Sequence, residues 1–495
     1  MMPRSRWAVR WAVASVLLLV ALAFRAWHFG DPVYGIDEQY YLLAGDRMLH
    51  GAVPFIDIWD RKPIGLFLLF AAIRTLPGDG ILAYQLVATV FAWATALVVV
   101  RMARMVGAND RGTLIAGFTY IAGLSLLGGG GGQSPVFYNL PVALAALLTL
   151  RLPALADARR TGAIIGSGVA ACLLAGLAIQ LKYTPAVEGA FFGLAHLWFL
   201  RRAGAQVWTI AGAAMLWVAM GIGPTLAAIA YYAAKGPAAL ATFWFANVTS
   251  IALRPGYPAD QLVMRLLGIA AQLWPSLLAA VLAWRRRGRG RETILLLLFG
   301  WLAFALAGFL AIGTFFDHYA LPLVAPLAVA AAPVFGRSKR LMAFALAVPV
   351  GILIVEAILH PSDAVGARRV AAIMKANSGD ECPYVFVGDT ITYHLADACL
   401  PTRYAFPNLL AYSTEQGAVG IDEAAEVRRI LARRPPVIVT ADRRLSIWNP
   451  GSLRAVKSAL ARDYHPIFTT PRRGWNTVVY LRNDRRVMRE PSARP

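Results

Sequence analysis

Two clusters of ionisable side chains follow the first apolar run of this 495-residue chain. The stretch "GIDEQYY" sets Asp37 and Glu38 side by side, and "DIWDRKP" supplies Asp57, Asp60, Arg61 and Lys62. A carboxylate takes a proton from a hydroxyl or holds a divalent cation through its oxygens, and Lys or Arg binds phosphate. Together these groups suit a phosphate-bearing substrate. Structural roles compete at each position. Asp37 suits the N-cap of a helix expected over 38–50, and Glu38 then favours the positive end of that helix. Arg61 and Lys62 can snorkel beside an apolar helix, the preferred reading for Arg61. For Asp37, capping and chemistry are compatible.

The elements that must position these groups are membrane helices. The chain is 58% hydrophobic and 15% charged, too apolar for a soluble domain, so the fold class is a polytopic α-helical membrane protein. Its formal charge of +21 does not mark nucleic-acid binding, because Lys and Arg sit in short bursts between apolar segments. With about 20 apolar residues needed per span, eleven are expected, at 9–28, 81–100, 113–128, 135–150, 162–181, 185–200, 206–232, 262–284, 293–312, 319–335 and 341–359. The N-terminal run resembles a signal peptide but lacks a small-residue cleavage site, which favours an uncleaved first span.

Basic residues mark alternate connections: Arg4, Arg6 and Arg10; Arg101, Arg104 and Arg111; Arg151, Arg159 and Arg160; Arg201 and Arg202; "RRRGRGR" at 285–291; and Arg337, Lys339 and Arg340. The positive-inside rule makes these cytoplasmic, with the N-terminus. The "GGGGGQS" and "GTFFDH" loops carry no Lys or Arg and fit the opposite side. Segment 63–76 is too short to span, holds Arg74 and reads as an interfacial or re-entrant helix. Residues 29–80 then form a large outer loop. A domain of spans over 1–359 is followed by an outer domain over 360–495, whose runs "YVFVGD", "PPVIVTAD" and "NTVVYLR" alternate with helical patterns such as "DEAAEVRRILARR", giving a small C-terminal α/β extracytoplasmic domain. Three cysteines are too few for a disulfide scaffold, and no C-x-x-C pair or His-rich tract points to a zinc site. Cys382 and Cys399 are either a disulfide or two thiols, and Cys172 packs within a span.

The run "YGIDEQYYLLAGDRMLHGAVPFIDIWDRKPIGLFLLF" resembles the first outer loop of GT-C glycosyltransferases of family 39, the dolichyl-phosphate-mannose protein mannosyltransferase type with bacterial aminoarabinose-transferase relatives. The shared pattern is an Asp-Glu pair after the first span, then "P-[FY]-x-D-x-W-D-x-K-P" leading into a juxtamembrane helix. "GLAIQLKYTPA", with Lys182, and "DHYALPLVAPLAVAAA", with His318 and Tyr319, are similar to later family segments.

The resemblance implies transfer of a sugar from a polyprenyl-phosphate carrier to an acceptor hydroxyl or similar nucleophile on the outer face. It implies Asp37 as the catalytic base, assisted by Glu38, with the pair as candidate ligands for a divalent metal ion. Lys62 becomes the phosphate contact, because a point-charge ammonium suits a departing phosphate. His318 and Tyr319 become donors to the same phosphate, or interfacial anchors. Lys182 neutralises the carrier phosphate or marks the membrane boundary. Asp57 and Asp60 complete the substrate-binding set by shaping the loop, and Trp59 shapes it too or sits at lipid headgroups.

The sequence departs from the pattern at "GGGGGQSPVFYNLP". Ser134, Pro135 and Val136 stand where many bacterial relatives carry an acid, and Gln133 and Asn139 are polar without being bases. Metal dependence is weakened by this more than transferase activity. The five glycines read as a flexible connection. The aromatics of "FWFAN" and "RPGY" read as interfacial anchors.

The expected partners are a polyprenyl-phosphate sugar, an envelope acceptor (glycolipid, polysaccharide or protein) and the bilayer, in a bacterial inner membrane, with no nucleic acid. The alternatives are a secondary transporter, against which stand the absence of a repeat of span pattern and the outer placement of the charges, and a non-catalytic envelope assembly protein.

Overall fold

The computed structural model describes residues 6–286, 291–359, 361–443, 447–472 and 474–488. Arg4 and positions 287–290 of the "RRRGRGR" loop, which served above as topology markers, lie outside the described residues. The chain forms two compact units. One contains Met1–Phe29, Gln85–Ala228 and Pro258–Leu359; the other contains Gly30–Tyr84, Ile229–Tyr257 and His360–Pro495. The C-terminal tail thus groups with the first loop and with the segment after residue 228.

All eleven apolar segments are helical. Among the described residues nine helices are long and apolar enough to cross a membrane. The other two are Asp110–Leu126, of 17 residues, and Pro185–Arg202, of 18 residues with Glu188, His196, Arg201 and Arg202 along it. The first falls short in length, the second in hydropathy. Leu321–Phe335 is the central helix of the first unit, with every residue but Pro333 buried. It packs against Asp110–Leu126, where a Cβ on Gly123 would stand 2.7 Å from Val324. Close approach between small residues is how helices associate when lipid supplies no hydrophobic drive.

The glycine-rich turn corrects the flexible reading. Residues 129–132 are buried, and the fully buried Arg25 donates to the carbonyl oxygens of Gly129 (2.6 Å) and Gly131 (2.5 Å) and to Thr89 Oγ1 (3.0 Å). Glycine is used here for close approach, since a Cβ on Gly129 would lie 2.8 Å from the Leu124 carbonyl oxygen. A buried guanidinium needs acceptors, and bare backbone carbonyls supply them.

The second unit holds a four-stranded sheet, β1 (Tyr384–Val385), β2 (Val437–Ala441), β3 (Tyr464–Arg472) and β4 (Trp475–Arg482), in the order β1-β2-β4-β3. β1 and β2 are parallel, and the other pairs are antiparallel, with Val439 opposite Val479. β2 is buried along its whole length, as its unbroken apolar run requires. β3 lies at the edge, where Pro466 and Pro471 cost the sheet no central ladder bonds. Helix Glu423–Ala432 begins at Asp422, whose carboxylate accepts from the Ala425 N–H at 2.9 Å. Cys382 and Cys399 form a disulfide within this unit.

Helices Ile36–Leu49 and Ile64–Arg74 pack together in the same unit. A Cβ on Gly45 would stand 2.6 Å from the Ala71 nitrogen, so the two backbones nearly touch. Asp46 on the first helix accepts from Arg74 Nε on the second (2.9 Å) and lies 3.5 Å from His394 Nδ1. Ile64–Arg74 has 11 residues, about 16 Å of helix, too short to cross a bilayer.

Candidate active site

The Asp-Glu pair sits in the first turn of helix Ile36–Leu49, and the residue that caps this helix is Gly35, with φ of 83° and no side-chain cap bond. The expected capping role of Asp37 is therefore not its role. A positive φ suits glycine, and the lost Cβ matters again here. The Glu38 carboxylate folds back into the space a Cβ on Gly35 would fill. Glu38 is fully buried, while Asp37 is half-buried and remains accessible. The pair thus divides: Glu38 braces the turn against the positive helix end, and Asp37 meets solvent.

The segment "PFIDIWDRKP" folds as a tight loop with a bridge between Pro54 and Ile58. Phe55 adopts φ of 69°, a left-handed conformation uncommon for a bulky side chain. It is held there by full burial against Phe67, Tyr232 and Phe243, at ring distances of 6.3, 5.5 and 5.6 Å. Tyr232 Oη also donates to the Pro54 carbonyl (3.0 Å). Trp59 does not reach lipid headgroups: it is 1% exposed, its backbone N–H donates to the Arg403 carbonyl (2.9 Å) and its own carbonyl accepts from Tyr40 Oη (2.7 Å). Phe243 of "FWFAN" is buried, whereas Trp244 is exposed, so only part of that motif presents an anchor.

Arg61 departs from the snorkelling expectation. Its Nη1 donates to Glu415 Oε2 (2.5 Å), its Nε to Ser250 Oγ (2.5 Å) and its Nη2 to the Ala418 carbonyl (3.2 Å). Glu415 also accepts from Arg254 (2.8 Å). This buried pair, with a second arginine, ties the loop to segments 250–254 and 415–418.

Three charged groups of the expected site come together beside it. Asp60 is buried, and burial raises its carboxyl above the ordinary range; the Lys62 ammonium, the Arg61 N–H (2.5 Å from Oδ1) and the Arg61 guanidinium pull it down, while the Asp37 charge raises it. Lys62 Nζ stands 5.5 Å from the ring centre of Tyr41. Asp57 lies outside this group, at the exposed end of the loop, where its Oδ2 accepts from the Val53 N–H (2.8 Å). Acid, ammonium and accessible carboxylate next to one another allow proton abstraction and binding of a developing phosphate charge.

Lys182, His318 and Tyr319 belong to the other unit and form a cluster there. Lys182 Nζ lies 4.0 Å from the Tyr319 ring centre, a cation–π contact, and His318 meets Tyr319 edge-on at 4.4 Å. The cluster continues through Phe316, stacked with His318 at 5.9 Å, to Arg265, whose guanidinium lies 4.0 Å over Phe316. Arg265 was not among the sequence candidates, although a single arginine within the apolar span 262–284 is itself a signal. Glu188 accepts from Trp301 Nε1 (2.7 Å). Asn139 donates to the Leu321 carbonyl (3.2 Å) and is a helix tether.

No protein family and no curated protein match the chain. Solved structures do. ArnT from Cupriavidus metallidurans bound to undecaprenyl phosphate superposes with a TM-score of 0.60 at 16% identity, over 97% of this chain and 99% of that one. Its apo state gives 0.59 at 16% identity, over 96% and 97%. The Archaeoglobus fulgidus oligosaccharyltransferase tethered to an acceptor peptide gives 0.52 at 13% identity, over 97% of this chain and 74% of that one. The chain therefore shares the membrane fold of these structures over 97% of its length.

Proposed function

We propose that this protein is a membrane glycosyltransferase that moves a sugar from a polyprenyl-phosphate carrier to an envelope acceptor on the outer face of a bacterial inner membrane, with its N-terminus cytoplasmic and the 360–495 tail outside. The reading rests chiefly on one observation: an accessible carboxylate, Asp37, shares its electrostatic surroundings with Lys62 and the buried Asp60. The fold supports it, since the ArnT structure was solved with undecaprenyl phosphate and a further A. fulgidus oligosaccharyltransferase structure, at a TM-score of 0.51 and 12% identity over 96% of this chain and 74% of that one, with dolichol-phosphate.

Asp37 removes the acceptor proton as the nucleophile attacks the anomeric carbon. The bond from that carbon to the carrier phosphate breaks, and Lys62 meets the charge that grows on the leaving oxygen. Lys182, His318 and Tyr319 form a cationic and aromatic cluster of their own in the first unit. Glu38 acts by holding the turn that presents Asp37. Asp37 and Glu38 are the residues that would hold a divalent ion; among the described residues no group of three or more His, Cys, Asp or Glu gathers into an ion site. No step here passes through a metal.

The test is turnover in membranes with a synthetic polyprenyl-phosphate sugar and an envelope extract as acceptor. Transfer by the native chain and its loss in Asp37→Asn support the reading. Robust transfer by Asp37→Asn rejects the base assignment.

A further inference from the structure

The second unit carries an open cleft of about 690 Å³ that the proposed chemistry does not use. Its walls come from three places: Ile56 and Asp57 of the "PFIDIWD" loop, residues 400–404, and residues 421–433. We propose that this cleft is a saccharide-binding site, which seats the neutral sugar portion of the acceptor. The word acceptor rests on the transferase reading; the binding of sugar does not.

The lining chemistry selects the ligand. Arg403, Arg429 and Arg433 face the cleft with Asp57, Asp422 and Glu426, three formal positive charges against three negative. The carboxylates are fixed by the protein: Asp57 by the Val53 N–H (2.8 Å), Asp422 by the Ala425 N–H (2.9 Å), and Glu426 by Thr402 Oγ1 (2.5 Å) and Arg429 Nε (2.6 Å). Each retains acceptor capacity, because an ionised carboxylate offers about four lone-pair sites. Arg403 spends one Nη2 bond on Tyr404 Oη (2.7 Å) and lies over that ring at 4.9 Å, leaving other N–H donors of its fork. Arg433 completes the lining, and its charge bears on Glu426.

Fixed donors and acceptors at zero net charge match a ring bearing hydroxyls, each of which both donates and accepts. A polyanion would meet three carboxylates, and an apolar ligand would strand the polar groups without partners. The volume falls within the usual range for ligand sites, about 300–1,000 Å³, and admits more than one sugar ring.

Position gives the site its use. Asp57 stands three residues before Asp60, and the Trp59 N–H is bonded to the Arg403 carbonyl (2.9 Å). A sugar in the cleft therefore rests on the loop whose other end carries Asp60, Arg61 and Lys62.

The experiment is saturation-transfer NMR on the full detergent-solubilised chain, with glucose, galactose, mannose, N-acetylglucosamine and glucuronate each at millimolar concentration and inorganic phosphate as competitor. The expected result is ring-proton signal from at least one neutral sugar, insensitive to phosphate and weakened roughly tenfold in the Arg429→Ala/Arg433→Ala variant, which loses two charged hydrogen-bonding groups. A variant with an unchanged melting profile counts; Asp57→Asn, which keeps an acceptor for the Val53 N–H, is the second probe should the double variant misfold. No signal from any neutral sugar overturns the proposal, as do equal signals in native and variant chains, or displacement by phosphate, which marks an anion site. Sugar binding in a chain that transfers nothing from a polyprenyl-phosphate sugar would remove the transferase reading and leave the site standing.

Discussion

Arg61 and Glu415 are 354 positions apart in the chain and meet at 2.5 Å, each with a side chain no more than 10% exposed. Breaking such a buried pair from one side strands the other charge, here two guanidiniums because Arg254 shares the carboxylate. Glu415→Ala is expected to destabilise the second unit by about 3–5 kcal/mol and to lower transfer through displacement of the loop. Glu415→Gln, which keeps an acceptor oxygen, retains part of both. Thermal unfolding with turnover of the surviving folded fraction measures this; an unchanged melting curve for Glu415→Ala defeats it.

Asp37 is half-buried and does not cap its helix, and asparagine keeps its size and one acceptor oxygen. Asp37→Asn is expected to keep the native melting temperature and lose about 10²–10⁴ in turnover. Lys62→Met should also lower turnover, with a stronger effect on substrates whose leaving phosphate is less acidic. Steady-state kinetics on both variants, with melting curves beside them, decides whether chemistry or folding was lost.

Asp46 supplies a pH signature. Burial alone would raise its carboxyl, but the hydrogen bond and charge of His394, then those of Arg74, outweigh it and bring the value from 3.8 to about 2. A depressed carboxyl contributes stability that is present above its unfolded value and lost as pH falls toward the folded one. The window is therefore about pH 4 down to 2. Melting temperature should fall across that window in the native chain and fall less in Asp46→Asn.

The Cys382–Cys399 disulfide closes a loop with a sequence separation of 17, for which chain entropy gives about 3 kcal/mol. Reduction, or the paired Cys382→Ser/Cys399→Ser change, should lower the unfolding temperature of the second unit. Mass spectrometry of alkylated peptides checks the bond itself, and two alkylated cysteines without prior reduction would contradict it.

With the phosphate charge assigned to Lys62 as proposed, chelation is expected to leave turnover within about twofold. Transfer abolished by EDTA and restored by a divalent cation would reverse that assignment.

Local pattern was enough to place much of this molecule. Every apolar segment expected as a span is a helix, and three of the four strands were visible as apolar runs; β3 escaped because Pro466 and Pro471 suppress the strand signal that an edge position tolerates. What escaped elsewhere depended on distant partners. Nothing near Arg61 announces Glu415, and nothing near Gln39 announces its bond to Asp389 at 3.1 Å, 350 positions away. Of the two roles open to Asp37, capping fell away because the positive φ of Gly35 puts the helix start at Ile36, two residues earlier than expected. The glycine turn read as loose because the residue that fills it, Arg25, comes from another helix.

Arg25 also sets an order of assembly. Its carbonyl partners are made 104 and 106 residues later, a wait of about 5–20 s at ordinary synthesis rates. Throughout that interval the guanidinium must be hydrated or held by other groups. This helix thus reaches the translocation machinery before its permanent lodging exists, and final seating belongs to a later stage of biogenesis than insertion.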